Sequence, residues 1–424
     1  MNKLCHFCQG DSHKASDKPC QDYAYAESSE SLSMAIVSDG HGGERYFRSQ
    51  HGSRLAVEIT SQAIRSFVEN MPELTYTGKD RQSVFEGSTF TSYNSATATE
   101  KQVEGNAHKA LQWLFSSIIS QWNCAIARHA AENELDEWEK THVEQKYIDE
   151  FLAKREQPDA TYEKTYGCTL MAYVQTPGYW FAFHLGDGKC VSMCKGNNDE
   201  LVCGQPIPWD EKCFLNKTTS LCDSNALEEF RYCYQGDGSF PLAMFLGSDG
   251  MDDSYGDGEN LYNFYIQLFK IIARSGNEKA RKELAKSLPI ISQRGSKDDM
   301  SVSVIYDDSE LSSVFFMMTD YQKARLEEQF EAAESKIMQL SEKIEGFGNP
   351  DNLDRSRQIN LEYAKKDLDK AKQKAKLIKT KMSTLKGEVT KYRNRFLCNE
   401  PIDNVTGDSS EGLVFQQTEA EEQN

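Results

Sequence analysis

The apolar positions of this chain change period three times. Over residues 1–60, short apolar runs alternate with polar turns. They predict strand, loop, strand, turn, and then a helix that starts after Gly42-Gly43 and passes through Tyr46, Phe47, Leu55, Val57 and Ile59. Residues 61–75 extend that helix until it ends near Pro72. Residues 76–106 are rich in Ser, Thr, Gly and Asn, lack an apolar period, and read as a long loop or lid. Leu111, Leu114, Phe115, Ile118, Ile119, Trp122 and Ile126 then recur at spacings of three and four, which predicts a strong helix over 107–133. A short helix around Val143–Lys154 follows in a charged stretch.

From 166 to 306 the pattern turns β-rich. Cys168–Gln175, Tyr179–Leu185 and Lys189–Cys194 read as a meander, with Pro177-Gly178 as its first turn. A strand near Glu229–Gln235 precedes another that ends at Asp249. Helices are expected at about 258–275 and 277–287, and a last strand at Met300–Tyr306.

Beyond residue 310 a heptad seam takes over. Leu326, Phe330, Ala333, Ile337, Leu340 and Ile344 form a first arm, and Gly346 to Pro350 break it. Leu361 to Phe396 form a second arm with the same alternation. The pattern predicts an antiparallel coiled-coil hairpin over 319–397. At 1.5 Å per residue the first seam is roughly 28 Å long and the second roughly 54 Å. Half of the second, Ile378 to Phe396, is therefore expected to lie bare and to be covered by a second copy of the chain, by the domain that precedes the hairpin or by another protein. Residues 398–424 are acidic and Ser/Gln-rich, which predicts a disordered tail.

Three of the apolar runs end alike. Met34–Val37 leads to Ser38-Asp39-Gly40, Trp180–Leu185 to Gly186-Asp187-Gly188, and Leu242–Leu246 to Gly247-Ser248-Asp249-Gly250. Each reads as a buried strand delivering a carboxylate at its end, followed by a glycine that lets the chain turn closely. Asp22 opens an early strand, Asp253 lies one helical turn past Asp249, and Asp298 precedes the last strand. A single aspartate in such a place is ordinarily a turn former or helix cap. Six that converge need cations, and an all-oxygen set selects hard ions such as Mg²⁺ or Mn²⁺.

Composition narrows the class. The 424 residues are 38% hydrophobic and 27% charged, with a net charge of -18. The acidic balance argues against a nucleic-acid binder and fits a cytoplasmic protein. No apolar run approaches 18 residues, so no membrane span is expected. Cys5-x-x-Cys8 lacks a second pair to complete a zinc site and reads as strand cysteines. The second arm of the hairpin departs from the acidic average: 14 lysines and arginines stand against 5 acidic residues between 353 and 396. Charge pairing with acidic neighbours, or docking of an acidic partner, are the two readings of that arm.

Asp39-Gly40-His41-Gly42-Gly43, Gly167-Cys168-Thr169, Gly186-Asp187-Gly188-Lys189, Ser248-Asp249-Gly250 with Asp253, and Gly295-Ser296-Lys297-Asp298-Asp299 occur in that order. Over roughly residues 1–308 the chain resembles the metal-dependent serine/threonine phosphatases of type 2C, the PPM family. Gly10-Asp11-Ser12-His13 and Pro19-Cys20-Gln21-Asp22 resemble a bacterial branch of it. The resemblance implies an α+β fold: a central sandwich of two antiparallel sheets flanked by helices. The segment at about 76–160 lies away from every motif in the sequence and is expected to be a lid or docking insertion. It also implies two Mn²⁺ or Mg²⁺ ions, with a third held more weakly. Asp39 would bridge the first two, the Gly40 carbonyl would ligate one, and Asp249 and Asp298 would hold the other. Asp22 would bind directly or through water, and Asp187 and Asp253 would hold the third ion with Asp249. A hydroxide bridging the metals would attack phosphoserine or phosphothreonine in a protein substrate, and His41 would protonate the leaving oxygen.

Departures from the family pattern bear on activity. The stretch before Asp22 lacks the usual phosphate-gripping arginine, which leaves His13, Lys14 or Lys18 to substitute. Gln21 stands where an acidic residue often precedes Asp22, Gly188-Lys189 replaces a usual Ser-Arg, and Asp299 replaces a usual Asn. The alternative function is a weakly active or inactive scaffold that binds phosphoproteins and recruits partners through its coiled coil.

Overall fold

Among the described residues, eleven strands form two antiparallel sheets that pack face to face. In chain order they are β1 (Asn2–Cys8), β2 (Tyr23–Ser28), β3 (Ser33–Ser38), β4 (Thr91–Tyr93), β5 (Leu170–Gln175), β6 (Trp180–Leu185), β7 (Lys189–Lys195), β8 (Leu201–Gly204), β9 (Arg231–Gln235), β10 (Ala243–Gly247) and β11 (Met300–Tyr306). One sheet has the order β1-β11-β10-β7-β8, the other β2-β3-β5-β6-β9-β4. The structure, a computed structural model, describes residues 1–74, 83–94, 105–210, 213, 218–256, 258–349 and 353–397. These fall into two compact units, residues 1–195 with 202–309, and residues 196–201 with 310–397.

The strand period explains the layers of the first unit. On β3, Ala35 and Val37 face the other sheet and meet Met244, Leu246 and Ile305. Met34 and Ile36 face the opposite way, into a second core with the helices. Those helices are α2 (Ser49–Leu74) and α3 (Asn106–Glu132), which follow the short α1 (Asp11–Ala15). Then come α4 (Glu137–His142), α5 (Gln145–Arg155), α6 (Ala226–Glu229) and α7 (Asp249–Tyr255). On the outside of the first sheet, Phe245 of β10 stacks at 4.6 Å on Tyr265 of α8 (Gly258–Ser275). Next to it runs α9 (Asn277–Arg294), which continues through Pro289 and so outruns its predicted end.

Two expectations are corrected here. The described part of the stretch 76–160 belongs to the core and is not a lid. Leu111, Leu114, Phe115, Ile118 and Trp122 of α3 are fully buried in the helix–sheet core, and Trp122 Nε1 donates to the Gly52 carbonyl of α2 at 3.0 Å. Phe85 is equally buried, against Tyr179, Phe181 and Tyr234, and β4 extends the sheet beyond β9. Residues 75–82 and 95–104 of that stretch lie outside the described residues. The meander is also broken. β5 and β6 pair, but β7 crosses to the other sheet and pairs with β10. The turn that carries it across contains Gly186 at φ 136°, where a Cβ would meet Thr169 at 2.6 Å.

The second unit holds two long helices, α10 (Leu311–Gly346) and α11 (Arg355–Leu397). Ala333, Ala375 and Ile378 form its core, with Leu326, Phe330, Ile337 and Met382 against them. The expected bare half-seam is not found. α10 starts at Leu311, well before the Leu326 that opens the regular seam, and Phe315 near its start lies 5.4 Å from Tyr392 near the end of α11. Ile378, Leu385 and Tyr392 are all buried. The proposed tail, 398–424, lies outside the described residues.

Candidate active site

Strand register brings the aspartates together. Val37 pairs with Met171, and Leu170 with Leu185, so β3 and β6 finish at one end of their sheet on either side of the start of β5. Gly247 pairs with both Val302 and Lys189, so β10 finishes where β11 and β7 begin. Asp39, Asp187, Asp249 and Asp298 sit just beyond these ends and line one cavity of about 240 Å³. Gly40, His41, Thr169, Thr218, Gln21, Ser12, His13, Lys18 and Gly42 complete its wall. At Gly40 a Cβ would meet the Gln21 carbonyl at 2.7 Å, and at Gly250 the Asp299 carbonyl at 2.2 Å. Both glycines are required by close backbone approach.

Three predicted site residues lie off the wall. Asp22 is buried behind it; its Oδ2 has no hydrogen-bond partner among the described residues. Asp253 is exposed on α7, near Asp252, Asp187 and Asp298. Lys14 is exposed and does not reach the cavity, unlike His13 and Lys18. His13 Nδ1 lies 2.9 Å from Asp299 Oδ2, so it is engaged with that carboxylate. Asp299 also accepts from the backbone N–H groups of Gly10 (2.6 Å) and Gln21 (2.5 Å), which pins the loop carrying His13, Lys18 and Asp22. Lys18 Nζ donates to the Gly42 carbonyl at 2.6 Å.

Crowding shifts the carboxylates. Burial, then the charges of Asp249 and Asp22, raise Asp39 well above the usual carboxylate range. Burial, with Asp187, Asp298 and Asp253 nearby, pushes Asp249 up to about 7. Burial and the Asp299 charge raise Asp22. Asp39 and Asp249 stand close enough that each charge opposes the ionisation of the other carboxyl. Among the described residues, no group of three or more His, Cys, Asp or Glu side chains is arranged to hold a metal ion as it stands. Repulsion among these carboxylates calls for a neutralising charge. The all-oxygen donors and the unpartnered Asp22 Oδ2 fit a hard dication in that role. The N-terminal cysteines contribute nothing of the kind: Cys5 and Cys8 belong to β1 and are three residues apart, on opposite faces.

His41 sits in a slot on the far wall. Its ring meets Tyr46 edge-on at 4.8 Å, and Nε2 lies 2.7 Å from Ser220 Oγ. Burial pushes its pKa down to about 4; Asp223 opposes that shift and Lys164 adds to it.

The profile of the protein phosphatase 2C family matches residues 9–289. The chain belongs to that family. Among solved structures it is similar to a C. elegans sex determining protein, at 15% identity and a TM-score of 0.41, over 75% of this chain and 67% of that one. It is similar to the catalytic domain of the serine/threonine phosphatase PstP in complex with two manganese ions, at 13% identity and a TM-score of 0.36, over 72% and 98%. It is also similar to a phosphatase 2C from Toxoplasma gondii, at 12% identity and a TM-score of 0.40, over 71% and 93%. No curated protein matches its sequence significantly. For a phosphatase 2C member, the residues that sequence reading missed are Thr218, which lines the cavity, and Ser220, which meets His41. Thr218 and Ser220 lie between strands with no apolar period around them, so only the fold brings them to the site.

Proposed function

We propose that the chain is a metal-dependent phosphatase acting on phosphoserine or phosphothreonine in proteins, with Mn²⁺ or Mg²⁺ held at the two-sheet carboxylate cluster. The observation that carries this reading is the meeting of Asp39, Asp187, Asp249 and Asp298 in one cavity with His41 and Lys18. Asp39, Asp249, Asp298 and the Gly40 carbonyl would hold the two ions, with Asp22 behind them and Asp187 and Asp253 toward a third. Bound there, the ions supply an acidified water and neutralise phosphoryl charge.

The chain's own groups do the rest. Lys18, of the three cations expected to replace the missing arginine, points a charge into the cavity without a carboxylate partner at salt-bridge distance. It binds a phosphoryl oxygen as a point charge, without the fork of an arginine. His41 gives a proton to the leaving serine or threonine oxygen. Its depressed pKa keeps the free ring neutral, and a dianionic phosphate beside the ring works in the opposite direction, so proton uptake accompanies substrate binding. The test is hydrolysis of p-nitrophenyl phosphate by the full chain with and without Mn²⁺. Turnover that appears with Mn²⁺ and vanishes on chelation supports the reading, and no turnover under either condition overturns it in favour of a phosphatase-fold scaffold.

A further inference from the structure

Ser220 faces His41 across the cavity wall, and its hydroxyl has a complete set of partners. His41 Nε2 lies at 2.7 Å, the Cys222 backbone N–H donates to Oγ at 3.2 Å, Oγ donates to the Cys168 carbonyl at 3.0 Å, and Cys222 Sγ lies 3.2 Å from Oγ. A hydroxyl has one proton to give and two lone pairs to receive. If that proton goes to Cys168, the third contact is made only by an imidazole that carries its proton on Nε2. The other tautomer would take the Ser220 proton away from Cys168 and leave an Nδ1–H with no partner among the described residues. Cys222 Sγ, a weak donor and a weak acceptor, can serve either arrangement, and among nitrogen and oxygen partners the first makes one more hydrogen bond.

The loop carrying Ser220 is fixed against the same wall. Leu221 N donates to the Cys168 carbonyl at 3.0 Å, and Cys168 bridges to Gly40, next to His41 in the chain. Ser220 N donates to Asp223 at 3.0 Å, and Asp223 pairs with Lys164 at 2.9 Å. The hydroxyl is therefore held in place before the ring meets it.

We propose that Ser220 is the positioning residue for His41, holding Nε2–H so that Nδ1 is the ring nitrogen presented to the leaving oxygen. This rests on the phosphatase reading above. As the phosphorus–oxygen bond to the leaving group breaks, its electron pair stays on the ester oxygen, which takes the proton from Nδ1. The ring is left neutral with its remaining proton on Nε2, still donated to Ser220, and Nδ1 regains a proton from solvent for the next cycle. Ser220 accepts the same bond before and after the transfer and need not reorient.

The experiment compares wild type, Ser220→Ala and Ser220→Thr as full chains. Turnover of a phosphoserine peptide and of p-nitrophenyl phosphate is measured with Mn²⁺, and imidazole ¹⁵N spectra are recorded without metal. The Ala variant should lose at least about tenfold in kcat on the peptide and distinctly less on the aryl ester, whose leaving group needs no proton. Thr, which keeps the hydroxyl, should restore the peptide rate. His41 should show the Nε2–H signature in wild type and in the Thr variant, and mixed tautomers in the Ala variant. An unchanged His41 spectrum in the Ala variant, or equal losses on both substrates, overturns the assignment. If wild type hydrolyses neither substrate, the phosphatase reading fails, and the spectra alone still decide whether Ser220 sets the tautomer.

Discussion

Asp249 shows what the carboxylate cluster costs a protein without its cations. Its pKa stands at about 7 in the folded chain, against an ordinary carboxylate value near 4, because burial and three neighbouring aspartates oppose its ionisation. A raised folded pKa means that its contribution to stability is full below about pH 4 and is lost as pH rises through 7. Metal-free protein should therefore melt a few °C lower at pH 8 than at pH 5, Mn²⁺ should reverse the trend, and Asp249→Asn should flatten it. Melting curves in a chelator across that range check this; a melting point that rises with pH in all three proteins contradicts it. His41→Ala should lower kcat on a phosphoserine peptide by about 100-fold and on p-nitrophenyl phosphate by much less, and equal losses would count against its role as proton donor. Asp39, Asp187 and Asp249 were legible in the sequence because each follows an apolar run, and a strand that must be buried leaves few choices for where its end goes. Ser220 was not legible: its role depends on Cys168, 52 residues away, and no local pattern encodes that contact.

At the scale of elements, the helix–sheet core decides what can be removed. The Ser- and Thr-rich stretch near residue 90 reads as a loop because its deep anchor, Phe85 beside Val84, is too short an apolar run to show a period. The strand β4 has three residues, too few to show a period. α3 was correctly read as a helix, but its apolar stripe was assigned to a docking element when it is half of the layer covering the second sheet. Trp122→Ala should then cost about 3–5 kcal/mol of unfolding free energy, since it opens a large cavity and leaves the Gly52 carbonyl without its indole donor. Urea denaturation measures this, and a loss below about 1 kcal/mol would return α3 to the periphery. The crossing of β7 to the other sheet was hidden for a different reason. Tyr179–Leu185 and Lys189–Cys194 look like adjacent hairpin arms in sequence, and only the positive φ of Gly186 turns the chain away.

At the scale of the molecule, each of the two units encloses its own core. The hairpin's length was misjudged because Val314, Phe315 and Met318 precede the regular seam, and a reading that starts at Leu326 leaves out the start of the first arm from Leu311. With α10 running from Leu311, the far part of α11 has a partner within its own chain. Backbone amides around Ile378 and Leu385 should be well protected from hydrogen exchange; rapid exchange there would mean that the hairpin does not close. Among the described residues no helix is long and apolar enough to cross a membrane. The family and the two-sheet sandwich follow from the ordered motifs, while the place of each motif follows from register that joins strands up to three hundred residues apart, as β1 and β11 are joined. The claim on which the rest depends is that this register builds a dication site that drives phosphate ester hydrolysis. Calorimetric titration of metal-stripped full chain with Mn²⁺, paired with phosphate release from a phosphoserine peptide by the same sample, tests it most directly. The account predicts binding of at least two ions, peptide turnover that rises with their occupancy, and loss of both in Asp39→Asn. Peptide turnover by the metal-stripped chain, or Asp39→Asn binding and turning over like wild type, would contradict it.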